Sequence, residues 1–191
     1  MVIFICKIEE EIKMKKLNRK GFTLIELLAV IVIMAIIVVV TVPTIINTIA
    51  DARVSSIWNL AVATANSYDT MSAQDLIASD SELAGVSLSQ TEWKCFDDVT
   101  NKDSEKLSTI LDLSDTDLVL DGTAPTGDNP TVSADILAAD GSVTTEGTCS
   151  AIRLKSNGSA EVLLVAKDGG KFDVAGKVVY ALSSSDKGVQ Q

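Results

Sequence analysis

The stretch RKGFTLIELLAVIVIMAIIVVVTVP, which spans Arg19 to Pro43, decides how this chain is organised. Its 21 residues from Phe22 to Val42 are almost wholly apolar. At about 1.5 Å per residue, such a helix is about 30 Å long and would cross the hydrocarbon core of a bilayer. One residue breaks the pattern, because Glu26 precedes 24 residues without a charge. A carboxylate in lipid costs about 2.5–3.5 kcal/mol at the helix centre and less toward an end, so Glu26 requires an explanation.

The residues before the apolar run are basic: Lys15, Lys16, Arg19 and Lys20. Positive flanks stay in the cytoplasm, which predicts a single-pass protein with its N-terminus inside and the rest of the chain outside. A secretory signal peptide would have an apolar core of about 7–15 residues followed by a small-residue cleavage site. The run is too long for that class and no such site follows it. A plain membrane anchor would leave Gly21 and Glu26 unexplained.

The residues KGFTLIELL, 20–28, resemble the N-terminal motif of type IV pilins and of the related type II secretion pseudopilins. The resemblance implies that a prepilin peptidase cuts between Gly21 and Phe22 on the cytoplasmic side and then methylates the new amine of Phe22. Glu26 and Pro43 would become residues five and twenty-two of the mature chain, positions that the family commonly uses. Pro43 lacks a backbone donor and is the expected weak point of the long helix.

The resemblance also gives Glu26 a role. Phe22 and Glu26 are four residues apart and so lie on one face of a helix. The carboxylate could therefore meet the amine of its own chain or that of the next subunit. The family implies the second arrangement, in which the carboxylate guides an incoming subunit into register. Glu26 is thus expected to be an assembly residue. Normal entry of a Glu26→Ala subunit into filaments would contradict this expectation.

These features divide the chain into four segments. We expect a leader at 1–21, with translation starting at Met14 because the eight residues from there carry four positive charges and no acid. The helix is expected to have a transmembrane and assembly half at 22–43 and an amphipathic half at 44–72. An extracellular head at 73–191 would comprise a variable loop region, 73–132, and an antiparallel sheet, 133–183. The predicted fold class is α+β, a pilin fold in which the long helix packs against a β-meander.

Periodicity supports this organisation independently of the motif. Residues repeat every three or four positions along a stripe that needs a partner, and we expect the helix to end near Met71–Ser72. The stripe comprises Ile46, Ile49, Arg53, Ile57, Leu60, Thr64, Tyr68 and Met71. Next, SAQDLIAS is expected to form a short helix, and a second one in NKDSEKLSTILDLS would be capped by Asp103 or Ser104.

The C-terminal third changes to a strand pattern. CSAIRLK and AEVLLVAK flank SNGS, and Asn-Gly is a strong hairpin signal. KVVYALS follows as a further strand, and Ala134 to Ala138 is a candidate for another. We therefore predict three or four antiparallel strands whose apolar face covers the long helix.

Removal of the leader leaves two cysteines, Cys95 and Cys149. In an exported protein such a pair predicts a disulfide, and many pilins use a disulfide to pin their variable middle region to the sheet. The alternative is two unpaired, buried thiols.

Several function classes are excluded or disfavoured. Residues 22–191 carry ten Lys/Arg and 23 Asp/Glu, a net charge of −13 that would repel nucleic acid. The chain has no histidine, the commonest general base and metal ligand. We predict no enzymatic activity, no cofactor and no metal site.

Calcium in an acidic loop is a lesser alternative, but the spacing is not that of an EF-hand. That loop contains Asp112, Asp115, Asp117, Asp121 and Asp128.

The sequence thus predicts a structural subunit of a bacterial type IV pilus. Its expected partners are the prepilin peptidase and methyltransferase, other pilin subunits, the pilus assembly platform and the cytoplasmic membrane. It would reside in that membrane as a precursor and later in a cell-surface pilus. The alternatives are a pseudopilin of a type II secretion or DNA-uptake machine and a minor, adhesive pilin at the filament tip.

Overall fold

A computed structural model describes residues 21–77, 81–127, 148–174, 177–184 and 189–190. Chain contacts divide it into two compact units, Met1–Thr44 and Ile45–Gln191. The elements, in chain order, are α1 (Leu24–Asp75), β1 (Lys94–Cys95), α2 (Leu107–Ile110), β2 (Ala151–Leu154), β3 (Ala160–Val165), β4 (Val179–Leu182) and β5 (Val189–Gln190). The fold class is α+β, with a long N-terminal helix and a C-terminal antiparallel sheet, as predicted.

Helix α1 is 52 residues long and extends further than the sequence predicted. It ends at Asp75, three residues beyond Ser72, so the first four residues of SAQDLIAS belong to α1 and do not begin a separate helix. In the second unit α1 buries one face at intervals of three and four residues, which is the signature of a helix packed on a core. The buried residues are Val54, Ile57, Ala61, Thr64, Ala65 and Tyr68.

The sheet has five antiparallel strands in the order β1-β2-β3-β4-β5. It contains the predicted hairpin and the strand predicted in KVVYALS. β1 lies in the segment expected to be a variable loop region, and β5 lies beyond residue 183. The candidate strand Ala134 to Ala138 lies outside the described residues.

The hairpin turn between β2 and β3 is longer than the Asn-Gly pair suggested. Leu154 pairs with Ala160, and the Lys155 amide donates to the Ser159 carbonyl, so the loop holds three residues, 156–158. Gly158 has φ +84°, the left-handed position that closes such a loop. This detail matters because a shift of one residue in register would turn every side chain to the opposite face of the sheet.

β3 is the centre of the head, and all six of its residues are buried. Val162 and Leu164 lie in the cluster that contains α1 residues such as Ile57 and Ala61. Leu163 and Val165 belong to a second cluster on the other face, with both cysteines and Trp93. The sheet is therefore covered on both sides.

The predicted cap of α2 was wrong. The helix begins at Leu107 with Lys106 in the cap position, and no side chain caps it. Ser104 instead adopts a left-handed φ of 66°. The loop is organised by the buried Asn101, whose Oδ1 accepts hydrogen bonds at 2.9 Å from the amides of Asp103 and Glu105. Asn101 thus binds the Glu105 amide, which a cap at Asp103 would have served, and the Leu107 amide donates to the Val99 carbonyl.

Candidate processing and assembly site

The start of α1 is built by a reciprocal pair of side chains, Thr23 and Glu26. Glu26 Oε2 accepts from the Thr23 amide at 3.0 Å and from the Thr23 hydroxyl at 2.8 Å. In return, the Glu26 amide donates to Thr23 Oγ1 at 3.3 Å. This is a capping box, in which residues three apart satisfy backbone donors that the first helical turn leaves free.

The capping box gives Glu26 a structural role that we did not predict. The signal was present in the sequence as T-x-x-E at the start of an apolar run, but Glu26 was interpreted only as a partner for the Phe22 amine. The box holds the carboxylate at the positive end of the helix dipole. Among the described residues, both hydrogen bonds to the carboxylate use Oε2, so Oε1 is left for another donor.

Gly21 and Phe22 precede the helix and are fully open to their surroundings. Phe22 is 85% exposed. A Cβ atom added to Gly21 would meet nothing within 4 Å, and its φ is not in the left-handed range. Among the described residues, the local structure therefore gives no reason for a glycine at position 21.

The first part of α1 is apolar on all sides. Large apolar side chains from Phe22 to Ile49 are all exposed, none by less than 44%. By length and composition, α1 is the one helix in the described part of the chain that could cross a membrane. Pro43 lies inside α1, next to the boundary between the two units. Because proline has no N–H, it cannot donate to the carbonyl of Val39.

Cys95 and Cys149 form the predicted disulfide. Their Cα atoms are 5.7 Å apart and both residues are fully buried in the cluster on the outer face of the sheet. The bridge connects β1 to the residues just before β2, across a sequence separation of 54. It therefore fixes the edge strand and the return of the chain into the sheet.

Beside the disulfide lies a buried ion pair that the sequence analysis missed. Arg153 and Glu161 face each other directly across β2 and β3. The Arg153 Nε donates to Glu161 Oε2 at 2.8 Å, and the guanidinium lies 4.6 Å from the centre of the Trp93 ring. Arg153 and Trp93 both donate to the carbonyl of Gly127, at 3.3 and 3.0 Å. Arg153 and Trp93 thereby fix the backbone at Gly127.

One aspartate of the acidic loop, Asp117, binds another part of the chain through its carboxylate. Asp117 Oδ1 accepts from the Lys171 amide at 3.0 Å. Nearby, Asp97 binds Lys106 and Ser108. In the described part of the chain, no three Asp, Glu, Cys or His residues are grouped so that they could hold a metal ion. Asp128 lies outside the described residues.

Asp97 has a perturbed pKa. Partial burial raises the pKa of its carboxyl, but the hydrogen bonds from Lys106 and Ser108 and the attraction to the Lys106 ammonium outweigh that effect. The pKa of Asp97 therefore lies below its usual value. The same contact raises the pKa of Lys106.

Comparison with known proteins supports the interpretation of the N-terminus. Residues 16–42 match the family model described as the prokaryotic N-terminal methylation motif. No curated protein and no solved structure matched the chain. The motif, the long helix and the antiparallel sheet together support a type IV pilin-like protein, and the motif points to a structural rather than an enzymatic protein.

Proposed function

We propose that this chain is a structural subunit of a bacterial type IV pilus. A prepilin peptidase cuts it between Gly21 and Phe22, Phe22 is N-methylated, and the mature chain polymerises into a surface filament. The observation that carries this proposal is the methylation motif leading directly into a helix whose large apolar side chains are all exposed. Such a surface requires lipid before assembly and other subunits afterwards.

Polymerisation exchanges one apolar environment for another. In the membrane, residues 22–43 would contact acyl chains, and in the filament they would contact the same residues of neighbouring subunits. The acidic heads would remain outside the filament core, where their charge keeps them hydrated. Proline at position 43 lowers the cost of local adjustment, because one helical hydrogen bond is already absent there.

Glu26 is assigned two simultaneous functions. Its Oε2 closes the helix cap with Thr23, and its charge meets the methylated amine of the adjacent subunit. Pairing with that amine would offset the cost of a carboxylate in lipid. The cap holds the carboxylate at the helix terminus before the partner arrives, which limits the rotamer entropy lost on pairing.

The two functions can be separated by substitution. Glu26→Gln keeps the acceptor that a capping box needs but removes the charge. Thr23→Ala keeps the charge but removes the cap, at a cost of about 1 kcal/mol of helix stability. We expect Glu26→Gln to abolish entry into filaments and Thr23→Ala to reduce it only partly. If Glu26→Gln assembles normally while Thr23→Ala does not, Glu26 acts as a cap alone.

The decisive experiment is mass spectrometry of filaments sheared from cells, without reduction. We expect a chain that begins with N-methyl-Phe22 and is two mass units light for the disulfide. A processed chain that occurs only in membranes would instead indicate the pseudopilin alternative. A chain found only at filament ends by immuno-electron microscopy would indicate a tip adhesin, and an uncut chain would refute the proposal.

A further inference from the structure

Two apolar side chains at the end of α1 project from the head. Leu76 is 88% exposed and Ile77 is 90% exposed, more than any large apolar side chain in the first part of α1. In the described part of the chain beyond Ile49, no other large apolar side chain is exposed. The Ile77 amide donates to the Gln74 carbonyl at 3.0 Å, so a turn fixes the backbone here. Single exposed apolar residues are common, but Leu76 and Ile77 are adjacent, and we call them the apolar knob.

The same head has a groove with an apolar floor beside α1. The groove has a volume of about 420 Å³, and its walls are the part of α1 at 56–63, the segment 112–118 and the loop that contains Phe172. Leu60 and Leu113 line it and are half-buried, because they also pack against the core cluster. The groove is thus a recess that aliphatic side chains from outside the head could fill.

Opposite charges lie beside the knob and in the groove. The knob follows directly on Asp75, the last residue of α1. Lys171 lines the groove, with its ammonium 5.6 Å from the centre of the Phe172 ring. Among the described residues, neither Asp75 nor Lys171 belongs to an ion pair. Asp112 and Asp117 also line the groove, but Lys171 is the one cation among its described lining residues, so it complements the charge beside the knob.

The spacing of the knob and the groove selects the partner. Both lie in the unit Ile45–Gln191, and α1 positions both of them. Leu76 comes 16 residues after Leu60, which is about 24 Å along a helix, so the knob cannot reach the groove of its own chain. A second copy displaced along α1 by that distance can. Each pair of copies then keeps one unused knob and one unused groove, and such a head-to-tail contact propagates as an open filament.

We propose that the apolar knob of one subunit fills the groove of the next copy of this chain, with Asp75 beside Lys171. The inference rests on the proposed pilus subunit and adds a contact between heads to the contact between apolar helices. Burial of two aliphatic side chains stabilises the contact, and the ion pair at its edge fixes its orientation. The contact sets the displacement of neighbouring subunits along α1.

Paired cysteines test the contact in filaments. Cysteines at Ala63 and Ile77 cannot join within one chain, because 14 residues separate them, about 21 Å along a helix, and a disulfide requires Cα atoms within about 7 Å. We expect mild oxidation of sheared Ala63→Cys/Ile77→Cys filaments to give a ladder of covalent oligomers on a non-reducing gel. Each single variant should give monomers. So should the control Ser55→Cys/Ile77→Cys, because Ser55 is exposed on α1 but does not line the groove.

A charge exchange tests the ion pair. We expect Asp75→Lys alone and Lys171→Asp alone to lower the yield of sheared filaments about fivefold, the upper range for an exposed pair. The combined variant should restore the yield, because the two charges are again opposite. Lys171 is exposed and Asp75 is half-buried, so urea unfolding of the head should change little. An equal loss of filaments in the single and combined variants would show that these residues do not meet.

The outcomes distinguish this inference from the proposed function. Filaments that contain N-methyl-Phe22 but give no ladder would overturn the contact between knob and groove and leave the pilus proposal intact. A ladder from the Ser55 control, or covalent dimers from either single variant, would overturn it as well, because the contact would not be specific to the groove. A wild-type chain that never enters filaments would refute the proposed function, and this contact with it.

Discussion

Residues 24–44 and residues 45–75 belong to one helix, but only the second part buries side chains. The first part consists almost entirely of branched apolar residues without a preferred face. The second alternates a buried apolar face with exposed residues such as Ser55, Asn59 and Asn66. A segment that lies in lipid, or among copies of itself, needs only to be apolar, whereas a segment against a sheet must place apolar groups at intervals of 3.6 residues. The surroundings, not helix propensity, explain the difference.

The largest expected effect comes from removing the disulfide, which should destabilise the head but not the helix in residues 24–44. Replacing Cys95 and Cys149 by serine removes a cross-link across a sequence separation of 54, worth about 4 kcal/mol in the chain-entropy model. We expect the free energy of unfolding of the head, from urea titrations followed by fluorescence of the buried Trp93, to fall by that amount, and the urea midpoint to fall with it. Helix in residues 24–44, measured by circular dichroism in micelles after the head has unfolded, should remain. Equal unfolding midpoints with and without the bridge would contradict this.

A matched pair of isoleucines tests the comparison directly. Ile57 is fully buried against the sheet and Ile37 is 51% exposed. We expect Ile57→Ala to lower the free energy of unfolding of the head by about 3 kcal/mol, since it leaves a cavity. Ile37→Ala should not change it. Urea denaturation of both variants in the same detergent gives the measurement. A similar loss in both variants would mean that the two parts unfold as one.

A smaller effect concerns the polar contact between α1 and the sheet. Asp69 Oδ1 accepts from the buried amide of Ala160 at 2.7 Å. Asp69→Ala leaves that donor unsatisfied and is expected to cost about 2 kcal/mol. The exposed Asp51 serves as the control, because Asp51→Ala removes a charge from the same helix without breaking a contact to the sheet. Asp69→Asn retains an acceptor and should recover most of the loss.

The smallest expected effect is a dependence on pH that is confined to the head. The pKa of Asp97 is lowered in the folded state, so its ionised form stabilises the fold above the unfolded pKa, about 4. That contribution is lost as the pH falls through the lower, folded pKa. Below about pH 4 we therefore expect the unfolding midpoint of the native head to fall more steeply than that of Asp97→Asn. Parallel pH profiles would show that Asp97 does not contribute.

The sequence predicted those features that depend on local pattern. The apolar run, the hairpin around Asn157 and Gly158, and the disulfide between Cys95 and Cys149 are all present. Each has a local signal: continuous hydropathy, a turn pair between alternating residues, or an even number of exported cysteines. The cleavage site, the methylation of Phe22 and the assembly role of Glu26 remain predictions.

The features that were missed depend either on a contact distant in sequence or on details of a loop that its pattern does not fix. β1 is two residues long and becomes a strand only by pairing with β2. The pairing of Arg153 with Glu161 follows from the hairpin register, which a three-residue loop sets and a two-residue loop would have shifted. The predicted cap at Asp103 or Ser104 failed because Asn101, a few residues earlier, binds the amides of Asp103 and Glu105 and fixes a different loop. A local side-chain hydrogen bond here competes with the predicted cap.

The contacts around Gly127 and Cys149 have a consequence for which substitutions the head can tolerate. The Gly127 carbonyl accepts from Arg153 and Trp93, and Thr148 pairs with Thr123 beside the disulfide. Trp93 therefore does two things at once: it fills the cluster that contains the cysteines, and it fixes the backbone at Gly127. A phenylalanine at position 93 would fill much of the same space but could not donate to Gly127, so this position demands tryptophan for its N–H as well as for its size.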